Sequence, residues 1–293
     1  MILVTGASGG VGTALCLALA REGEHLVLTA RDEGRLEALA ARVRTAGGTA
    51  STHPCDLRDQ EAVSALAAQV LAQHGTPQAV VSLAGHSIRR DLTQTFGRPH
   101  DLVRLTGTNL LGPAALLLAL LEPMCAAGRG RLIAVTSASA RIPTPGWAAY
   151  GASKAGLDTW LRALRPQAAQ HGVQITVVEL PLVATAMAAP TYGRAPRGAL
   201  TPEQAAWRVL RALRSRRTLH SPLWSRIGAV LSQAAPSIAA EAAGRAEHLL
   251  RRVTVREHPR AGRGHGDRPT PQPASRPASR YLRARPLGRG RRS

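Results

Sequence analysis

Short apolar runs alternate with amphipathic stretches along the first part of the chain. Ile2-Leu3-Val4 ends at Thr5-Gly6, and a helical stretch follows from Val11 to Glu22. His25 to Thr29 predicts a second strand, Glu33 to Thr45 a helix, and Thr49 to His53 a third strand. Glu61 to Gln73 reads as a helix and Ala79 to Leu83 as a strand. Helices are expected over Pro99 to Gly128, a strand over Arg131 to Thr136, a helix over Tyr150 to His171 and a strand over Val173 to Leu180. Short strands separated by longer helical patterns build βαβ units, which place helices on both faces of a parallel sheet. The fold class is therefore α/β, a three-layer, doubly wound parallel sheet of about seven strands.

After Pro181 the pattern loosens. Residues 181–200 read as a loop over a substrate, its Gly- and Pro-rich part running from Pro190 to Leu200. Thr201-Pro202-Glu203 opens a helix, with Thr as N-cap, Pro at the first helical position and Glu in the first turn. That helix is expected to end near Arg216, with weaker helices over Leu223 to Ala234 and Ile238 to Arg252. Residues 1–255 are read as a single domain, and 256–293, rich in Arg, Pro, Gly and Ser, as a disordered tail.

Composition changes this picture little. The formal net charge is +20, which alone suggests nucleic acid or an anionic membrane. However, Lys154 is the only lysine, an arginine bias that weakens the inference, and thirteen arginines fall between Arg251 and Ser293. The folded part is not expected to bind nucleic acid. Three cysteines without CxxC spacing read as reduced thiols of a cytoplasmic protein. The histidines lack metal-ligand spacing, so no metal is expected. Met1 runs straight into a strand rather than a signal peptide. The apolar run Leu110 to Leu121 is too short to span a bilayer and reads as a buried helix.

Three motifs carry chemistry. Thr5-Gly6-Ala7-Ser8-Gly9-Gly10-Val11-Gly12 lies between a strand and a helix, the setting of a Rossmann-type dinucleotide fingerprint. Glycines there allow the tight turn, and the helix N-terminus favours a pyrophosphate. Tyr150 and Lys154 stand four apart, so on a helix they share a face. A neighbouring ammonium would lower the phenol pKa and make Tyr150 a general acid/base. Ser137 follows a strand whose C-terminal end faces the ligand crevice, where its hydroxyl can bind a carbonyl oxygen.

In combination these residues resemble the short-chain dehydrogenase/reductase family, in its compact single-domain subclass, over roughly residues 1–220. The thirteen-residue spacing from Ser137 to Tyr150 supports the compact subclass. The resemblance implies that Ser137, Tyr150 and Lys154 are catalytic and that Asn109 holds a water in a proton relay. It implies cofactor contacts from Gly6, Ser8, Gly10, Val11, Gly12, Asp56, Leu57, Ala84, Gly85, Pro181, Val183 and Thr185, with Asn109, Tyr150 and Lys154 near the nicotinamide. It also implies homodimers or homotetramers through the Leu110–Leu121 and Tyr150–His171 helices. Two departures touch the cofactor wall: Ser82-Leu83-Ala84-Gly85 replaces Asn-Asn-Ala-Gly, and Pro181-Leu182 replaces Pro-Gly.

Cofactor choice follows from charge. The second strand ends Thr29-Ala30-Arg31-Asp32, where an acid would repel a 2′-phosphate and an arginine would pair with it. Arg31 therefore favours NADP over NAD; the neighbouring Asp32 runs against that choice unless its role is to cap the next helix. Trp147, Met187 and Tyr192, with Ser137 and Tyr150, are expected to line an apolar substrate pocket. The expected activity is hydride transfer between a nicotinamide cofactor and a hydrophobic carbonyl or alcohol. Two alternatives are a non-catalytic dinucleotide-binding regulator and an anionic-surface module acting through the Arg-rich tail.

Overall fold

The structure is a computed structural model and describes residues 1–193 and 196–257. It consists of a unit Met1–Arg251 and a second, Arg252–Ser293.

Seven strands form one parallel sheet: β1 (Ile2–Thr5), β2 (His25–Ala30), β3 (Thr49–Pro54), β4 (Ala79–Ser82), β5 (Gly130–Ser137), β6 (Val173–Leu180) and β7 (Leu219–His220). Their order is β3-β2-β1-β4-β5-β6-β7. The order reverses beside β1, so the crevice of a doubly wound sheet opens between the C-terminal ends of β1 and β4. Strand residues alternate between two cores, as the pleat requires. Ile2 and Val4 face one with Leu26 and Leu28; Leu3 and Val27 face the other with Val80 and Leu132.

Helices α1 (Gly10–Ala20) and α2 (Glu33–Thr45) cover the first core, and α3 (Gln60–His74) covers the second. After β4 come a single turn, α4 (Leu92–Thr95), and then α5 (Pro99–Thr106), a π-turn (Gly107–Leu111) and α6 (Gly112–Ala126) without a break. This continuous helix, Pro99–Ala126, is long and apolar enough to cross a membrane. Its inner side, Leu116, Leu117, Leu120 and Met124, is at most 1% exposed and fills the second core. Where α6 starts, its backbone touches the segment after β3: a Cβ on Gly112 would stand 1.8 Å from the Leu57 carbonyl oxygen.

The long α7 (Ala148–Gln170) packs on the second core. The stretch expected as a loop contains a single turn, α8 (Ala189–Tyr192), and its ends are tied together. Val183 bridges Leu200, with Ala184 N donating to Leu200 O at 2.8 Å and Leu200 N to Leu182 O at 2.9 Å. Helix α9 (Pro202–Leu213) opens with a reciprocal Thr201–Gln204 capping box and ends three residues before Arg216, leaving room for the two-residue β7. Helices α10 (Leu223–Ala234) and α11 (Pro236–Glu257) follow. Arg256 and Glu257 are helical rather than disordered, because neither Gly nor Pro interrupts the chain between Gly244 and Pro259. The rest of the expected tail lies outside the described residues.

Candidate active site

The Gly-rich turn closes on itself between β1 and α1. Gly6 has φ +64° and lies so close to Ala84 that a Cβ would stand 2.8 Å from its nitrogen. A Cβ on Gly12 would meet the Gly6 oxygen at 2.3 Å. A side chain at Gly6 would strike the Ala84 backbone, and one at Gly12 would push the first turn of α1 off the Gly6-Ala7 backbone. Ala84 N donates to Thr5 Oγ1 at 3.1 Å, which seats the Ala84-Gly85 segment behind the turn. Thr185 lies against Gly10, with its Cγ2 2.9 Å from where a Cβ would be. Val11 and Val183 pack on the first core, and Leu57, 6% exposed, on the second. The turn, the Ala84-Gly85 wall and Thr185 thus enclose a glycine-lined cradle at a helix N-terminus, and a dinucleotide pyrophosphate fits it.

Charge gathers at the adenosine end. Asp32 accepts from Arg35 N at 3.0 Å and caps α2, the role expected for it. Arg35 reaches back over the turn and donates from Nη2 to Ser8 O at 2.7 Å. Asp56 is gripped by Arg58, whose Nε donates to Oδ1 and Oδ2 at 3.1 and 3.0 Å. These bonds hold the Asp56 carboxyl below its usual value, and Arg31 adds to the effect. Arg35 and Arg58 escape the sequence reading. Arg35 looks like any solvated helix arginine, although its place three residues after the capping Asp32 is a usable signal.

Tyr150 and Lys154 lie on the first turns of α7, and Ser137 ends β5. The Ser137 hydroxyl bonds the Ser139 hydroxyl at 3.0 Å and is near enough to Tyr150 to favour its phenolate. Lys154, 5% exposed, donates from Nζ to Val135 O at 3.1 Å. Burial pulls its pKa down to about 8. The expectation of a lowered Tyr150 pKa fails in this structure. Desolvation raises the phenol, the nearby Ser137 hydroxyl opposes it only in part, and the Lys154 ammonium is directed to Val135 instead.

Asn109, fully buried, sits in the π-turn. Its Oδ1 accepts from His86 N at 2.8 Å, and its Nδ2 donates to His86 O and Ser153 Oγ at 2.9 Å each. Gly85 lies against Asn109 and Lys154, where a Cβ would stand 3.3 Å from Asn109 Oδ1 and 3.2 Å from Lys154 Nζ. A second tie escapes the sequence reading: Arg141, just past the Ser137 turn, grips the buried Asp158 of α7 at 3.1 and 3.2 Å. The two segments that carry Ser137 and Tyr150 are therefore clamped together. Of the expected pocket residues, Trp147 meets Tyr150 edge-on at 5.6 Å and stacks with Tyr192 at 6.4 Å. Met187 is 43% exposed.

This arrangement can bind an oxygen between two hydroxyls, pass it a proton and hold a cation behind them. Comparison with known proteins agrees with it. Residues 1–194 match the family described as short chain dehydrogenase. A fatty acyl-CoA reductase of Acinetobacter baylyi is 35% identical over 238 residues, 80% of each chain. An uncharacterized oxidoreductase of Mycobacterium bovis is 35% identical over 255 residues, 85% of this chain and 74% of that one. Among solved structures, a metagenomic short-chain oxidoreductase in complex with NADP superposes with a TM-score of 0.64 at 33% identity, covering 75% of this chain and 94% of that one. The glycine cradle, the Ser137–Tyr150–Lys154 grouping and these likenesses converge: this chain belongs to the short-chain dehydrogenase/reductase family and is an NAD(P)-dependent oxidoreductase.

Proposed function

We propose that this oxidoreductase prefers NADP(H) and interconverts a hydrophobic carbonyl compound and its alcohol, with Tyr150 carrying the proton. The observation behind this reading is the grouping of Ser137 at the end of β5 with Tyr150 and the buried Lys154 on the first turns of α7, one helical turn apart. Bound in the glycine cradle, the nicotinamide cofactor supplies or accepts the hydride. Ser137 and Tyr150 both bind the substrate oxygen. Tyr150 donates its phenolic proton as charge grows there, and Lys154 stabilises the phenolate left behind. Asn109 orders the backbone at His86 and supports a water route to Lys154. Arg31 and Arg35 favour a 2′-phosphate over a free ribose hydroxyl.

The stacked Trp147 and Tyr192 rings favour an apolar substrate. The Acinetobacter baylyi relative is named a fatty acyl-CoA reductase, which adds long-chain acyl thioesters and aldehydes to the candidates. A homodimer or homotetramer is proposed through α5, α6 and α7. The exposed Leu102, Val103, Leu111 and Leu118 support it. Free Cys16, Cys55 and Cys125 support a cytoplasmic setting.

The test follows nicotinamide absorbance with a panel of aldehydes, ketones and acyl thioesters. NADPH should be oxidised in preference to NADH. Tyr150→Phe keeps the ring and removes the proton, so kcat should fall by about 10²–10⁴ with the fold intact. Near-full activity of Tyr150→Phe would overturn the mechanism. Cofactor binding with no turnover on any substrate would favour the regulator reading.

A further inference from the structure

Helix α10 is built inside out. Its inner face is small or polar: Ser225, Ala229 and Ser232 are buried, and Gly228 lies against Ile142. Ser225 and Ser221 both donate to the buried carboxylate of Glu179, near the end of β6. The outer face is the apolar one. Leu223, Trp224, Ile227, Val230 and Leu231 are each 53–68% exposed, and Ile238 at the start of α11 extends them. At helical spacing these five share one stripe. A water-facing helix normally shows the reverse pattern, and a contiguous exposed apolar stripe marks a docking surface.

Charge identifies the occupant. Between residues 201 and 257 there are ten arginines against four glutamates, and residues 258–293 hold ten more against one aspartate. A stretch of chain this basic favours an anionic surface over a second copy that carries the same charge. Arg226 projects from the same helix, and Trp224 is a residue type that favours the water–lipid boundary. A shallow apolar face gives weak, reversible attachment, and basic residues supply the second signal that stable attachment needs.

We propose that the outer face of α10 docks on an anionic lipid bilayer. Docking there acts close to the catalytic segments. Gly228 rests on Ile142, just past the Ser137 turn, and Arg89 pairs with Glu247 of α11 at 2.7 Å. A substrate that partitions into lipid would reach the enzyme at the same surface.

The test uses the full chain and vesicles of phosphatidylcholine, alone or with equal phosphatidylglycerol. The parent should float with the mixed vesicles and stay behind with phosphatidylcholine alone, and salt should release it. Trp224→Ser with Ile227→Ser leaves the inner face untouched. It should weaken flotation by about tenfold or more, while turnover of a water-soluble substrate stays at the parent's level. The emission lost in Trp224→Phe should shift to the blue on binding and be quenched by brominated acyl chains. Equal flotation of parent and double variant, or no quenching of Trp224, overturns the proposal. Equal binding to uncharged vesicles also overturns it. If the parent ignores vesicles and the double variant lowers its mass in light scattering, the face belongs to a second copy. Activity is scored separately, so failure here leaves the catalytic reading untouched.

Discussion

At the residue scale, Lys154 works against folding. Its pKa is about 8 in the folded chain against 10.5 for the free side chain. Below pH 8 both states carry the charge, and the folded state bears the full desolvation penalty. Between about 8 and 10.5 only the unfolded state keeps the proton, so stability rises with pH and the penalty disappears above that window. Lys154→Met should therefore abolish turnover yet raise the melting temperature at pH 7. The margin should be on the order of 3 kcal/mol at most, shrinking toward pH 10 in thermal scans. Arg31 acts on affinity instead: Arg31→Ala should weaken NADPH binding by about 1.5–3 kcal/mol and leave NADH nearly unchanged by calorimetry. The i, i+4 spacing makes Tyr150 and Lys154 legible in the sequence. The upward pull on Tyr150 is not, because it comes from desolvation that only the folded site imposes.

At the element scale, six strands and the longer helices between them are legible because their apolar runs are strong and their breakers well placed; the single turn α4 is not. The two residues of β7 are not, because pairing with β6 makes them a strand and no local pattern does. The π-turn at Gly107–Leu111 is hidden in the same way. Its sequence continues a helical pattern, and within the turn Asn109 reaches both His86 and Ser153. Asn109→Ala would leave the half-buried His86 backbone N–H and C=O without their side-chain partner. Urea denaturation should show a loss of about 1–3 kcal/mol, with kcat falling as well. The start of α9 is readable from Thr201-Pro202-Glu203, and the Thr-x-x-Gln spacing to Gln204 is a further signal that escapes the sequence reading.

At the scale of the whole molecule, Met1–Arg251 is one compact unit that contains every catalytic candidate. A chain ending at Glu257 should keep its melting temperature and its kcat on a water-soluble substrate, while its affinity for anionic vesicles falls. A large loss of kcat would show that the missing stretch serves the reaction. The two ends of the cofactor site are also connected mechanically. Gly112 holds the start of α6 flush against Leu57, one residue from Asp56, and Asn109 lies three residues before it. A single methyl there has nowhere to go, so it must lever the adenine-side segment and the π-turn apart. Gly112→Ala touches neither cofactor nor substrate, yet it should loosen NADPH binding and slow proton transfer together. That paired defect would mark α6 as the strut that keeps the two halves of the site in step.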